Sequence, residues 1–80
     1  MMEQELFDKI VELIESFGFT KTKKVSKNDF VFHGKSGIEI SFGIDWGIDI
    51  LDEENEKEYV YHDFEITDGI VRKTLKNLLK

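Results

Sequence analysis

The chain contains no cysteine, no proline and no alanine, and a single arginine stands against ten lysines. Without cysteine it forms no disulfide, holds no iron–sulfur cluster and has neither a thiol nucleophile nor a cysteine-based zinc site. The missing alanine and proline, together with many isoleucines and phenylalanines, are the composition expected of an AT-rich genome. Long apolar runs are missing too, since none approaches the ~18 residues of a membrane span. The opening MMEQELFDKIVELIESF carries acids where a secretory signal carries bases. These absences predict a cytoplasmic protein with no membrane association.

What is present is a compact set of folding signals. Apolar residues make up 40% of the chain and ten are aromatic, too many for a disordered acidic tail despite 35% charged residues. Eighty residues suffice for one core and not two, so residues 1–80 are expected to form a single domain.

From Glu3 to Phe17 the apolar residues Leu6, Phe7, Ile10, Val11, Leu13, Ile14 and Phe17 recur every three or four positions, which predicts an amphipathic helix closed by Gly18. The lysine- and threonine-rich segment after it suits a polar edge strand or an extended loop. Phe30–His33 and Ile38–Phe42 alternate around a Gly-Lys-Ser-Gly turn and predict a hairpin. Every even position from Ile38 to Ile50 is apolar, so one face of that run is core for as long as the chain stays extended. Gly43 and Gly47 mark bulges or a turn within it, and Trp46 falls in the core row.

EYVYHDFEI reads as the last strand, with Val60, His62, Phe64 and Ile66 on the core side and Tyr59, Tyr61 and Asp63 on the other. Thr67 or Asp68 then caps a C-terminal helix with Ile70, Val71, Leu75, Leu78 and Leu79 inside. The expected fold is α+β: an N-terminal helix, an antiparallel β-meander of three to five strands and a C-terminal helix, both helices packed on one sheet face.

Charge is distributed unevenly along this order. Residues 1–20 carry a net −4, residues 21–38 carry +4, residues 39–68 carry −10 and residues 69–80 carry +4. In the third block eleven acids face one lysine, Lys57. Such a surface repels nucleic-acid phosphate and attracts a basic one.

Specific chemical motifs do not match. DWGIDILDEENE lacks the alternate-position acids and central glycine of a calcium loop. His33 and His62 have no metal-ligand spacing, no serine sits in a nucleophile elbow, and GKSG is a turn rather than a phosphate loop. No catalytic residue, metal or cofactor is therefore assigned.

The remaining expectation is a non-enzymatic binding or inhibitor protein whose open sheet face and hairpin loop meet a basic protein surface, such as that of a nucleic-acid-binding protein or nuclease. The expected partner-binding residues are Asp45, Asp49, Asp52, Glu53, Glu54, Glu56, Tyr59, Tyr61 and Asp63, in which carboxylates combine with amphipathic aromatics. In size, acidity and composition the chain looks like small inhibitors carried by phages and mobile elements, among them anti-CRISPR proteins, DNA mimics and immunity proteins. Other readings are an antitoxin-type protein, a structural or oligomerising subunit, monomeric or homodimeric, and lastly a small metal-dependent enzyme.

Overall fold

The computed structural model describes residues 1–80. Helix α1 (Gln4–Ser16) is followed by strands β1 (Thr20–Ser26), β2 (Asp29–His33), β3 (Ile38–Gly43), β4 (Gly47–Asp52) and β5 (Lys57–His62), and then by helix α2 (Asp68–Leu78). The strands form one antiparallel sheet in sequential order.

Each helix is ended by the residue its sequence supplies. In α1 the stripe Phe7, Ile10, Val11, Leu13 and Ile14 is buried. Gly18 closes that helix at φ +94°, a region that costs a glycine nothing. For α2 the Thr67 hydroxyl accepts the Ile70 amide at 3.1 Å, satisfying one of the free N–H groups of the first turn.

Both helices cover the same side of the sheet. Phe7 of α1 stacks on Phe42 of β3 with ring centroids 4.5 Å apart and lies 5.9 Å from Phe30 of β2. From α2, the Thr74 hydroxyl meets the Tyr61 hydroxyl of β5 at 2.9 Å, and Tyr61 pairs with the buried Ile48 of β4. Lys9 and Asp68, 3.4 Å apart, join the two helices at their edges.

The long even-numbered apolar run is divided by a turn, Ile44-Asp45-Trp46, between Gly43 and Gly47. Three loop residues are an odd number, so even positions of β3 pair with even positions of β4, and Ile38, Ile40, Phe42, Ile48 and Ile50 all stay in the core. Gly47, at φ +128°, is required here, because a Cβ would run into the Tyr61 carbonyl. Trp46 is not the core residue its position in the row predicts. Inside the turn the alternation lapses, leaving the indole 38% exposed with its N–H donated to Asp29 at 3.2 Å.

The next hairpin reverses the alternation. Asp52 pairs with Lys57 across a four-residue loop, an even number, so even positions of β4 pair with odd positions of β5. Tyr59 and Tyr61 therefore stand under the helices beside Ile50 and Ile48, packed against the core, and Val60 is 51% exposed on the opposite face. The expected orientation of this strand is thus inverted. Phe64 lies in the turn beyond the strand, 83% exposed and stacked on His62 at 5.5 Å, and Ile66 alone of that row is buried.

The two edges of the sheet differ. Strand β1 is exposed along its whole length and its pairing with β2 is broken by two register shifts, a twist that with Lys21, Lys23 and Lys24 discourages further strand pairing. Strand β5 pairs with β4 in unbroken register.

Candidate functional site

The sheet face away from the helices is the one broad surface that no element covers. Register places Lys23, Val31, Ser41, Asp49 and Val60 side by side across the five strands. The neighbouring row is Thr20, His33, Glu39, Leu51 and Glu58. Asp49 thus has Glu39 and Glu58 on its two diagonals, within reach of side chains of this length.

Asp49 is the centre of this arrangement. Its side chain is half-buried between strands and its Oδ1 is enclosed without any protein donor. Burial first, then the adjoining Glu58 carboxyl and the charge of Glu39, push the Asp49 acid up to about 6. Ionised carboxyl groups have only acceptors to offer each other, so this crowding favours the protonated form of Asp49.

Around this pair the polar groups are ordered by the strands beneath them. His33 touches Glu39 through Nε2 at 2.9 Å and the Thr22 hydroxyl through Nδ1 at 2.6 Å, which fixes its ring across β1, β2 and β3. His62 lies at the other end of the sheet, so the two histidines do not meet. Lys23 is the cation on the Asp49 row, but three strand spacings of ~4.8 Å separate them, beyond the ~8 Å screening length at physiological salt. It leaves the acidic centre unneutralised. No three His, Asp or Glu side chains converge with metal-ligand geometry.

The residues expected to bind a partner divide into three groups. Asp49 is on the open face as its parity requires, and Glu53, Glu54 and Glu56 are exposed in the hairpin loop beside it. Asp45 is exposed but lies in the β3–β4 turn at the far end of the sheet, not on the strand face.

Asp52, Tyr59, Tyr61 and Asp63 are placed elsewhere than expected. Asp52 is 2% exposed, and its carboxylate accepts the Asn55 backbone and side-chain N–H groups at 3.3 and 2.9 Å, holding the hairpin loop closed. The tyrosines are under α2 for the parity reason given above. Asp63 follows Tyr61 on that side, where it pairs with the amino group of Met1 at 2.7 Å and is held below the ordinary carboxylate range by it.

Glu39 and Glu58 complete the site in place of those residues. Glu39 has an odd position in the alternating run, which is a sequence signal for the open face. Glu58 has none, because its side depends on the length of the hairpin loop. No known family model matches the chain, and no curated protein or solved structure matches it significantly.

Proposed function

We propose that this chain is a non-enzymatic binding protein that engages a basic protein surface through the open face of β3–β5 and the adjoining loop Glu53–Glu56. The observation that carries this reading is the clustering of Glu39, Asp49 and Glu58 on adjoining diagonals of the uncovered sheet face. A fold gains nothing from packing three acids diagonally across two strand pairs, since like charges there oppose each other. An arginine or lysine from a partner, meeting the accessible carboxylates of Glu39 and Glu58, relieves that repulsion. Val31, Leu51 and Val60, interleaved with the acids, provide apolar contact area around the charge.

Surfaces with the required density of cations are those that bind nucleic-acid backbones, so the partner class is a nucleic-acid-binding protein or nuclease, and occupation of that surface makes the chain an inhibitor. The net charge of −6 steers the encounter and makes its rate sensitive to salt. Tyr59 and Tyr61 have no part in this contact.

The test is affinity capture from the native host with the wild type and with the Glu39→Lys/Glu58→Lys variant, followed by competition with duplex DNA. A partner that is released by DNA and by salt, and lost on charge reversal, supports the proposal. Retention that is indifferent to charge reversal and salt overturns it.

A further inference from the structure

Strand β5 ends the sheet without the devices that blunt β1. Its register is continuous, and it is flanked by the exposed side chains of Val60 and Phe64. The Asp63 amide donates to the Trp46 carbonyl, so in the alternating antiparallel pattern the odd residues of β5 turn their backbone groups toward β4. Those of Glu58, Val60 and His62 point outward from the sheet.

The sequence of this edge is complementary to itself. Read from both ends toward Val60, Lys57-Glu58-Tyr59-Val60-Tyr61-His62-Asp63 sets a cation against an anion, an acid against a histidine and a tyrosine against a tyrosine. We infer that two copies of this chain associate edge to edge through β5, antiparallel and two-fold symmetric, with Val60 opposite Val60 of the second copy.

Backbone geometry and side-chain charge agree on that register. A two-fold axis at Val60 pairs even residues with even, which are the ones whose N–H and C=O groups face outward, and forms up to about six main-chain hydrogen bonds. The same register puts Lys57 opposite Asp63, Glu58 opposite His62 and Tyr59 opposite Tyr61. Moving the axis to Tyr59 sets Lys57 against Tyr61, and moving it to Tyr61 sets Glu58 against Phe64, so both lose the match. An isologous contact needs one strand to complement itself, and this strand does.

Helix α2 does not close the edge. Between it and β5 lies an open groove of about 320 Å³, lined by Tyr59, Tyr61, Ile70, Lys73, Thr74 and Asn77. The tyrosine pairs of two copies meet at the mouths of their grooves. The result is a continuous ten-stranded sheet, since each copy brings five strands. The association uses the edge of the sheet and the proposed basic partner its face, with Val60 and Glu58 belonging to both, and the sedimentation test below needs no partner.

The experiment is sedimentation equilibrium from about 10 µM to 1 mM, a range that captures weak association. The wild type is expected to move from 9.4 kDa toward twice that mass. Val60→Lys, which sets two ammonium groups against each other at the axis, and Lys57→Glu, which sets two carboxylates together, should each weaken association at least about tenfold. Far-UV circular dichroism and thermal melting confirm that both variants remain folded. A wild type that is monomeric throughout the series, or association that survives Val60→Lys but is lost on Lys23→Glu in β1, overturns the inference.

Discussion

Asp49 and Glu58 lie diagonally across the β4–β5 pair, two carboxyl groups with no protein donor at the enclosed Asp49 Oδ1, and this crowding with burial pushes the Asp49 acid up to about 6. The consequence for stability has a definite sign. Asp49 titrates near 6 in the fold against an ordinary value of 3.8, so between these pH values the folded chain binds a proton that the unfolded chain has released. Its stabilising contribution is complete below about pH 4 and is lost as pH rises through about 6. The full displacement is worth about 3 kcal/mol, which solvent access at a half-buried site reduces to about 1 kcal/mol. Asp49→Asn should therefore unfold in urea at higher concentration than the wild type at pH 7.5, by about 1 kcal/mol, and resemble it at pH 4. Parallel midpoints for the two proteins across that range would falsify the raised Asp49 acid.

Asp52 and its neighbours Glu53 and Glu54 look alike in sequence but should behave differently. Asp52→Ala leaves the Asn55 donors without their acceptor and opens the hairpin loop, at a cost of about 1–3 kcal/mol. Glu53→Gln and Glu54→Gln should change stability by less than about 0.5 kcal/mol while weakening partner binding. Chemical denaturation beside a binding titration separates the two effects, and a stability-neutral Asp52→Ala would contradict the closed loop.

Tyr61 is a packing residue in the structure. Tyr61→Phe removes its hydrogen bond to Thr74, whose hydroxyl keeps the Ile70 carbonyl at 2.9 Å, so the loss is limited to about 0.5–1.5 kcal/mol. Partner affinity should not change. If Tyr61→Phe binds weakly while its melting temperature is unaltered, the hydroxyl serves the partner contact rather than Thr74.

Gly47 joins a left-handed backbone to close approach of the neighbouring strand, since any Cβ would meet the Tyr61 carbonyl. Gly47→Ala is expected to cost about 2–4 kcal/mol, combining strain at positive φ with displacement of β5. Gly18→Ala, at φ +94° but with open space around it, carries the conformational cost alone, about 1 kcal/mol. Thermal unfolding of the two variants should rank them in that order.

The composition and local periodicity by themselves determined the α+β class, the N-terminal helix, the capped C-terminal helix and the core rows of β2, β3 and β4. These depend on interactions between residues close in sequence or on a period that each segment carries within itself. They also placed Glu39 and Asp49 on the open face, because the odd positions of an alternating run have nowhere else to go. Tertiary structure alone decided the side of every residue in β5. A strand's alternation names two faces without saying which is inside, and that choice belongs to the number of residues in the preceding loop. The DEENEK segment does not announce that Asp52 ends the strand, that Lys57 begins the next, or that four residues lie between. That even number turned Tyr59 and Tyr61 inward and Val60 outward, and it brought Glu58 to Asp49 to complete the acidic centre.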